Sequence, residues 1–134
     1  MTKNNNPTFL KTVLIIFAIV NLIYGLAFFF APDYMVSLSG EAPVFHGWIR
    51  WPGGLQVALA IGAVLVALKP EKQGIFVTTM ALGSLFIGIA LLWAWLTASE
   101  MFNVWFTALP TLVALVLSLL LWWSGQRAKA ILYP

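Results

Sequence analysis

The chain has 134 residues, 62% hydrophobic and 8% charged, with a net charge of +3 and a mean hydropathy of +0.97. Soluble domains carry roughly a quarter charged residues, so a water-facing surface is excluded and the composition is that of an integral membrane protein. Cysteine is absent and His46 is the sole histidine, which excludes a disulfide framework, thiolate metal binding and a histidine-rich metal cluster.

A hydrocarbon core of about 30 Å needs roughly 20 apolar residues in helical form. Four segments qualify, over residues 10–31, 48–68, 74–98 and 102–123. No ten-residue stretch alternates with period two, which argues against a barrel. Backbone facing lipid must satisfy itself, which leaves helices. The first span runs into "APDY", where Pro32 and Asp33 stop it. It exceeds the 7–15-residue apolar core of a signal peptide and is expected to be retained.

Six of the seven basic residues fall on one side of these spans. They are Lys3, Lys11, Lys69, Lys72, Arg127 and Lys129, while Arg50 lies opposite with Asp33, Glu41 and Glu100. The excess of Lys and Arg in short loops marks the cytoplasmic side, so both termini are expected in the cytoplasm. The basic residues are too dispersed for a nucleic-acid patch. Tryptophans gather at both boundaries, with Trp48, Trp51, Trp93, Trp95 and Trp105 outside and Trp122 and Trp123 inside, as interfacial belts do.

Helices in lipid associate through small residues and cross-helix hydrogen bonds. Span one offers Ala18, Asn21, Tyr24 and Gly25 on one stripe. Span two offers Gly54, Ala58 and Gly62 on one face and Gly53, Gln56, Ala60 and Ala63 on another, so neighbours are expected on both sides. Span three offers Ala81, Ser84 and Gly88, and span four Asn103, Thr107, Thr111, Ala114 and Ser118. With short loops, consecutive helices are expected to be antiparallel neighbours in an up-down four-helix transmembrane bundle, an all-α single domain. Pro110 should free the carbonyl of Phe106 and kink span four, whereas Pro52 either opens or kinks span two.

Polar side chains concentrate in the outer half. Asn21 and Gln56 sit roughly 12–15 Å below the outer boundary at helical rise, where they could hydrogen-bond across the bundle. Tyr24, Thr107 and Thr111 share that half, and the inner half is nearly all aliphatic. Together they outline an outward-opening pocket. Arg50, inside "FHGWIRWPGG", stands at its rim. Its ion-pair candidates are Asp33, Glu41 and Glu100; its functional reading is a hook for a carboxylate or phosphate. His46 would share a face with Arg50 if the helix begins that early, adding a titratable donor.

Catalytic constellations are missing: the sequence holds no histidine-rich metal set, no cysteine, no glycine-rich phosphate loop and no acidic residue, paired or single, within a span. A proton relay needs such intramembrane acids. No cofactor is implied, and an enzyme ranks below the other readings.

The stretches "LIYGLAFFFAPDYMVSLSG" and "IRWPGGLQVALAIGAVLVAL" resemble the small four-span bacterial membrane proteins grouped as DoxX-like. The matching positions are Gly25, Pro32, Arg50, Gly53, Gly54 and Gly62, and the likeness covers about two-thirds of the chain. The resemblance implies a bacterial inner membrane and, for some members, complexes linked to redox or thiol stress. The absence of cysteine speaks against a direct dithiol role.

Two functional expectations follow. The first is a non-catalytic accessory protein or subunit of a larger membrane complex, its partners being the bilayer and a protein or a second copy, with no nucleic acid. The second is a carrier for a small lipophilic anion, lipid or quinone, held in the outer-half pocket by Arg50, His46, Gln56, Asn21 and Tyr24.

Overall fold

In the computed structural model, residues 7–40, 47–97 and 103–134 are described, and all regular structure among them is helical. The elements in chain order are α1 (Thr8–Phe30), α2 (Pro32–Ser39), a 3-10 turn (Gly47–Ile49), α3 (Arg50–Leu68), α4 (Gly74–Thr97), α5 (Val104–Arg127) and α6 (Lys129–Leu132). Four helices, counting the 3-10 turn with α3, are long and apolar enough to cross a bilayer. Within an 18-residue window, only 28% of each of the first three and 39% of the fourth is buried. Most of their apolar surface therefore needs hydrocarbon as its solvent.

Local chemistry sets the helix ends. "APDY" does not only stop span one. Ala31 breaks the helix at φ −129°, and Pro32 then starts α2, since its fixed φ and missing N–H suit the first helical position. Asp33 lies in that first turn, and Gly40 closes α2 at φ 89°, in the left-handed region glycine adopts freely. Pro52 falls in the first turn of α3, where no intrahelical N–H is lost, so it opens the helix rather than kinking it. α5 runs unbroken through Pro110, with Asn103 as its N-cap accepting from Trp105 N at 3.2 Å.

Packing divides the bundle into two hairpins. α1 packs along α3 and α4 packs along α5, while the seam between the hairpins is chiefly α1 against α5. Consecutive helices are thus not all neighbours: α3 and α4 meet only sparsely despite the short connection. The expectation of partners on both faces of α3 is corrected in the same way. Gly53, Ala60 and Ala63 are buried, whereas Ala58 is exposed and Gly54 and Gly62 are half-buried.

The dry core lies at the end of the bundle carrying both termini, built from Leu10, Leu14, Phe17, Ala63, Met80 and Leu121 with their neighbours. Phe9 meets Trp123 edge to face at 5.4 Å, and the Arg127 guanidinium lies 4.4 Å from the Trp123 ring centroid. This end is also closed by α6, which the sequence pattern does not announce. Lys72 N donates to Ile131 O at 3.2 Å, tying the α3–α4 connection to the C-terminal segment. At the opposite, distal end, Asn103 N donates to Ser39 O at 2.8 Å and fastens α2 to the start of α5.

Candidate functional site

The distal half of the bundle holds a partly open cavity of about 300 Å³ lined by all four long helices. α1 contributes Asn21, Tyr24 and Phe28, α3 contributes Gln56, α4 contributes Ser84, and α5 contributes Thr107 and Pro110. The walls are otherwise aliphatic or aromatic, and none of the described lining residues is charged. Such concavity, apolar walls and a few polar groups typify sites for small lipophilic molecules.

The helices place these groups for separate reasons. Gly25, one residue after Tyr24, lets α1 and α3 approach backbone to backbone: a Cβ on Gly25 would lie 2.9 Å from Val57 N. That crossing brings Gln56 opposite the Asn21–Tyr24 turn. On α4, Gly88 accepts the Leu115 side chain of α5, where a Cβ would meet Leu115 Cδ2 at 2.6 Å. Ser118 Oγ donates to Ala81 O at 2.8 Å and fixes the same pair below the cavity.

Hydrogen bonding inside the cavity departs from expectation. Asn21 Nδ2 donates to Phe17 O of its own helix at 2.9 Å, because the short side chain reaches one turn back more easily than across the bundle. No bond joins Asn21 to Gln56. Thr111 likewise turns inward, donating to Thr107 O at 2.7 Å, a local pairing open to hydroxyls in helices. Gln56 Oε1 is left buried with no hydrogen-bond partner among the described residues.

Three of the five residues expected at the site therefore meet in one cavity: Asn21, Tyr24 and Gln56. Arg50 is exposed at the first position of α3 and is not in the cavity wall. Asp33 is exposed in the first turn of α2, and no ion pair joins it to Arg50 among the described residues. His46, Glu41 and Glu100 lie outside the described residues. No group of acidic or histidine side chains suited to a metal ion occurs among the described residues.

Sequence reasoning placed Ser84 on a packing stripe and Pro110 at a kink without assigning either to the site. The signal for Pro110 was available, since a proline inside a span withdraws one N–H and leaves an acceptor on the helix face it interrupts. No family model, no curated protein and no solved structure matches this chain.

Proposed function

We propose that this chain is a membrane-embedded binding protein for a small neutral lipophilic molecule bearing a hydroxyl group, held in the distal cavity. The observation that carries the reading is that Gln56, a residue of the cavity wall, has a buried Oε1 with no hydrogen-bond partner among the described residues. An unmet buried acceptor costs about 1–3 kcal/mol, and a ligand hydroxyl would recover it. The unmet group is an acceptor, so it calls for a donor, and quinol or alcohol hydroxyls suit it. The described lining is uncharged, which favours a neutral ligand over an anion, because an unpaired charge in such surroundings pays a large desolvation cost.

The basic-residue pattern and the DoxX-like resemblance support a bacterial inner membrane with both termini in the cytoplasm, which puts the cavity in the outer leaflet. The test is gentle-detergent purification followed by solvent extraction and mass spectrometry of retained lipophiles. A near-stoichiometric molecule in the wild type, depleted in Gln56→Leu, is the expected result. No such molecule, or equal retention in Gln56→Leu, overturns the reading.

A second reading, an accessory subunit of a larger membrane complex, is favoured by one face of α3. Gly54, Ala58 and Gly62 are only partly covered there, and α4 touches α3 sparsely. Small residues on an open helix face permit close approach of another helix. A protein co-purifying at fixed stoichiometry, and lost on Ala58→Phe, would support this reading.

A further inference from the structure

A second cavity, of about 350 Å³, lies at the terminus-bearing end, between the start of α4, the end of α5 and α6. Its polar lining is Thr78, Gln126, Lys129 and Tyr133, with Trp122 beside them and Val77, Ala81, Leu121 and Leu132 as the apolar part. Thr78 Oγ1 and the Tyr133 hydroxyl are 3.1 Å apart. No acidic residue lines this space. Thr78 stands four residues into α4, about 6 Å from the helix end at helical rise.

We propose that this cavity binds the phosphate headgroup of one anionic phospholipid, with its acyl chains running along the apolar wall. Lys129 supplies the charge, while Gln126, Thr78 and Tyr133 supply hydrogen bonds. Arg127, the cation at the end of α5, is engaged elsewhere, over the Trp123 ring at 4.4 Å and the Phe9 ring at 5.7 Å. The cavity is also built, since α6 is held in place. The Tyr133 ring covers Gly74, where any Cβ would collide with it, and Leu132 and Ala128 are buried. Basic pockets between helices on the cytoplasmic side are an established way of holding anionic headgroups. The inference is independent of the distal cavity and of what that cavity holds.

The experiment is native mass spectrometry of the detergent-solubilised full chain, titrated with phosphatidylglycerol or phosphatidylcholine. One phosphatidylglycerol should bind in preference to phosphatidylcholine, and Lys129→Gln should weaken it roughly fivefold, as loss of one cation near an anionic group does. Lys69→Gln, which removes an exposed cation outside the cavity, should leave binding unchanged. Thr78→Val should weaken binding while keeping the side-chain shape. Equal binding of the two lipids, or equal effects of Lys129→Gln and Lys69→Gln, overturns the proposal. Displacement of the lipid by glycerol phosphate at matched concentration would assign the site to a soluble phosphate ester instead, and overturns the lipid assignment.

Discussion

Gly25 of α1 and Gly53 of α3 cross with their backbones in contact: a Cβ on Gly53 would lie 2.9 Å from Gly25 O and 2.7 Å from Phe29 N, and one on Gly25 would lie 3.0 Å from Gly53 O. Because the atoms in the way are backbone, the helices themselves must move to admit a methyl group. Gly53→Ala and Gly25→Ala should each destabilise the protein by about 1–3 kcal/mol, the usual cost of overpacking. Gly54 is the internal control. A Cβ there meets only the Phe29 ring at 3.7 Å, an ordinary contact, so Gly54→Ala should be neutral or stabilising. Thermal denaturation in detergent checks all three, and equal losses at Gly53 and Gly54 would refute the crossing.

Orientation can be tested directly because the chain has no cysteine of its own. A membrane-impermeant maleimide applied to intact cells should label Asp33→Cys. It should label Glu71→Cys only after permeabilisation. Both native residues are exposed, so neither substitution disturbs packing. The reverse labelling pattern would invert the topology and place the distal cavity on the cytoplasmic side.

Ser118 donates to the Ala81 carbonyl across the α4–α5 interface. Interhelical bonds of this kind contribute about 0.6 kcal/mol in membranes. Ser118→Ala should therefore cost about that much, and Ser118→Leu considerably more, since Ser118 is buried at 7% exposure. Unfolding in mixed detergent micelles measures both.

Arg127 joins the first and last long helices by lying over Trp123 and near Phe9. Arg127→Gln should cost about 0.5–1 kcal/mol, the range of exposed cation–π contacts. Trp123→Leu should remove the effect, so that adding Arg127→Gln to it changes little. A double-mutant cycle on the unfolding midpoint reads the coupling.

The spans and most of their buried faces were legible because hydrocarbon imposes a simple length rule and small residues mark close approach. Ala81, Ser84 and Gly88 on α4, and Thr107, Thr111 and Ser118 on α5, are all buried where the stripes placed them. The concentration of polar groups in one half also pointed to the distal cavity. Four things were not legible. α2 was hidden because Pro32 ends one helix and begins another, and only the backbone shows both. The Asn21–Gln56 bond failed because Asn21 had a nearer acceptor one turn back. The partnering of α3 depended on which hairpins form, a choice the spacing of Gly54, Ala58 and Gly62 does not make. α6 went unseen because four residues carry too little periodicity; its anchors, Gly74 and Tyr133, lie nearly sixty positions apart.

The seam between hairpins has a consequence for how the protein is made. α1 and α3 can pair as soon as the first half of the chain has emerged, but the surface of α1 that faces α5 stays open until the last long helix has entered the bilayer. The distal cavity lacks a wall until α5 has entered, and the other cavity lacks one until α6 has followed. A chain stalled or cleaved ahead of α5 would thus display a half-built seam, with Asn21 exposed to lipid, as a mark by which membrane quality-control proteases could tell it from finished product.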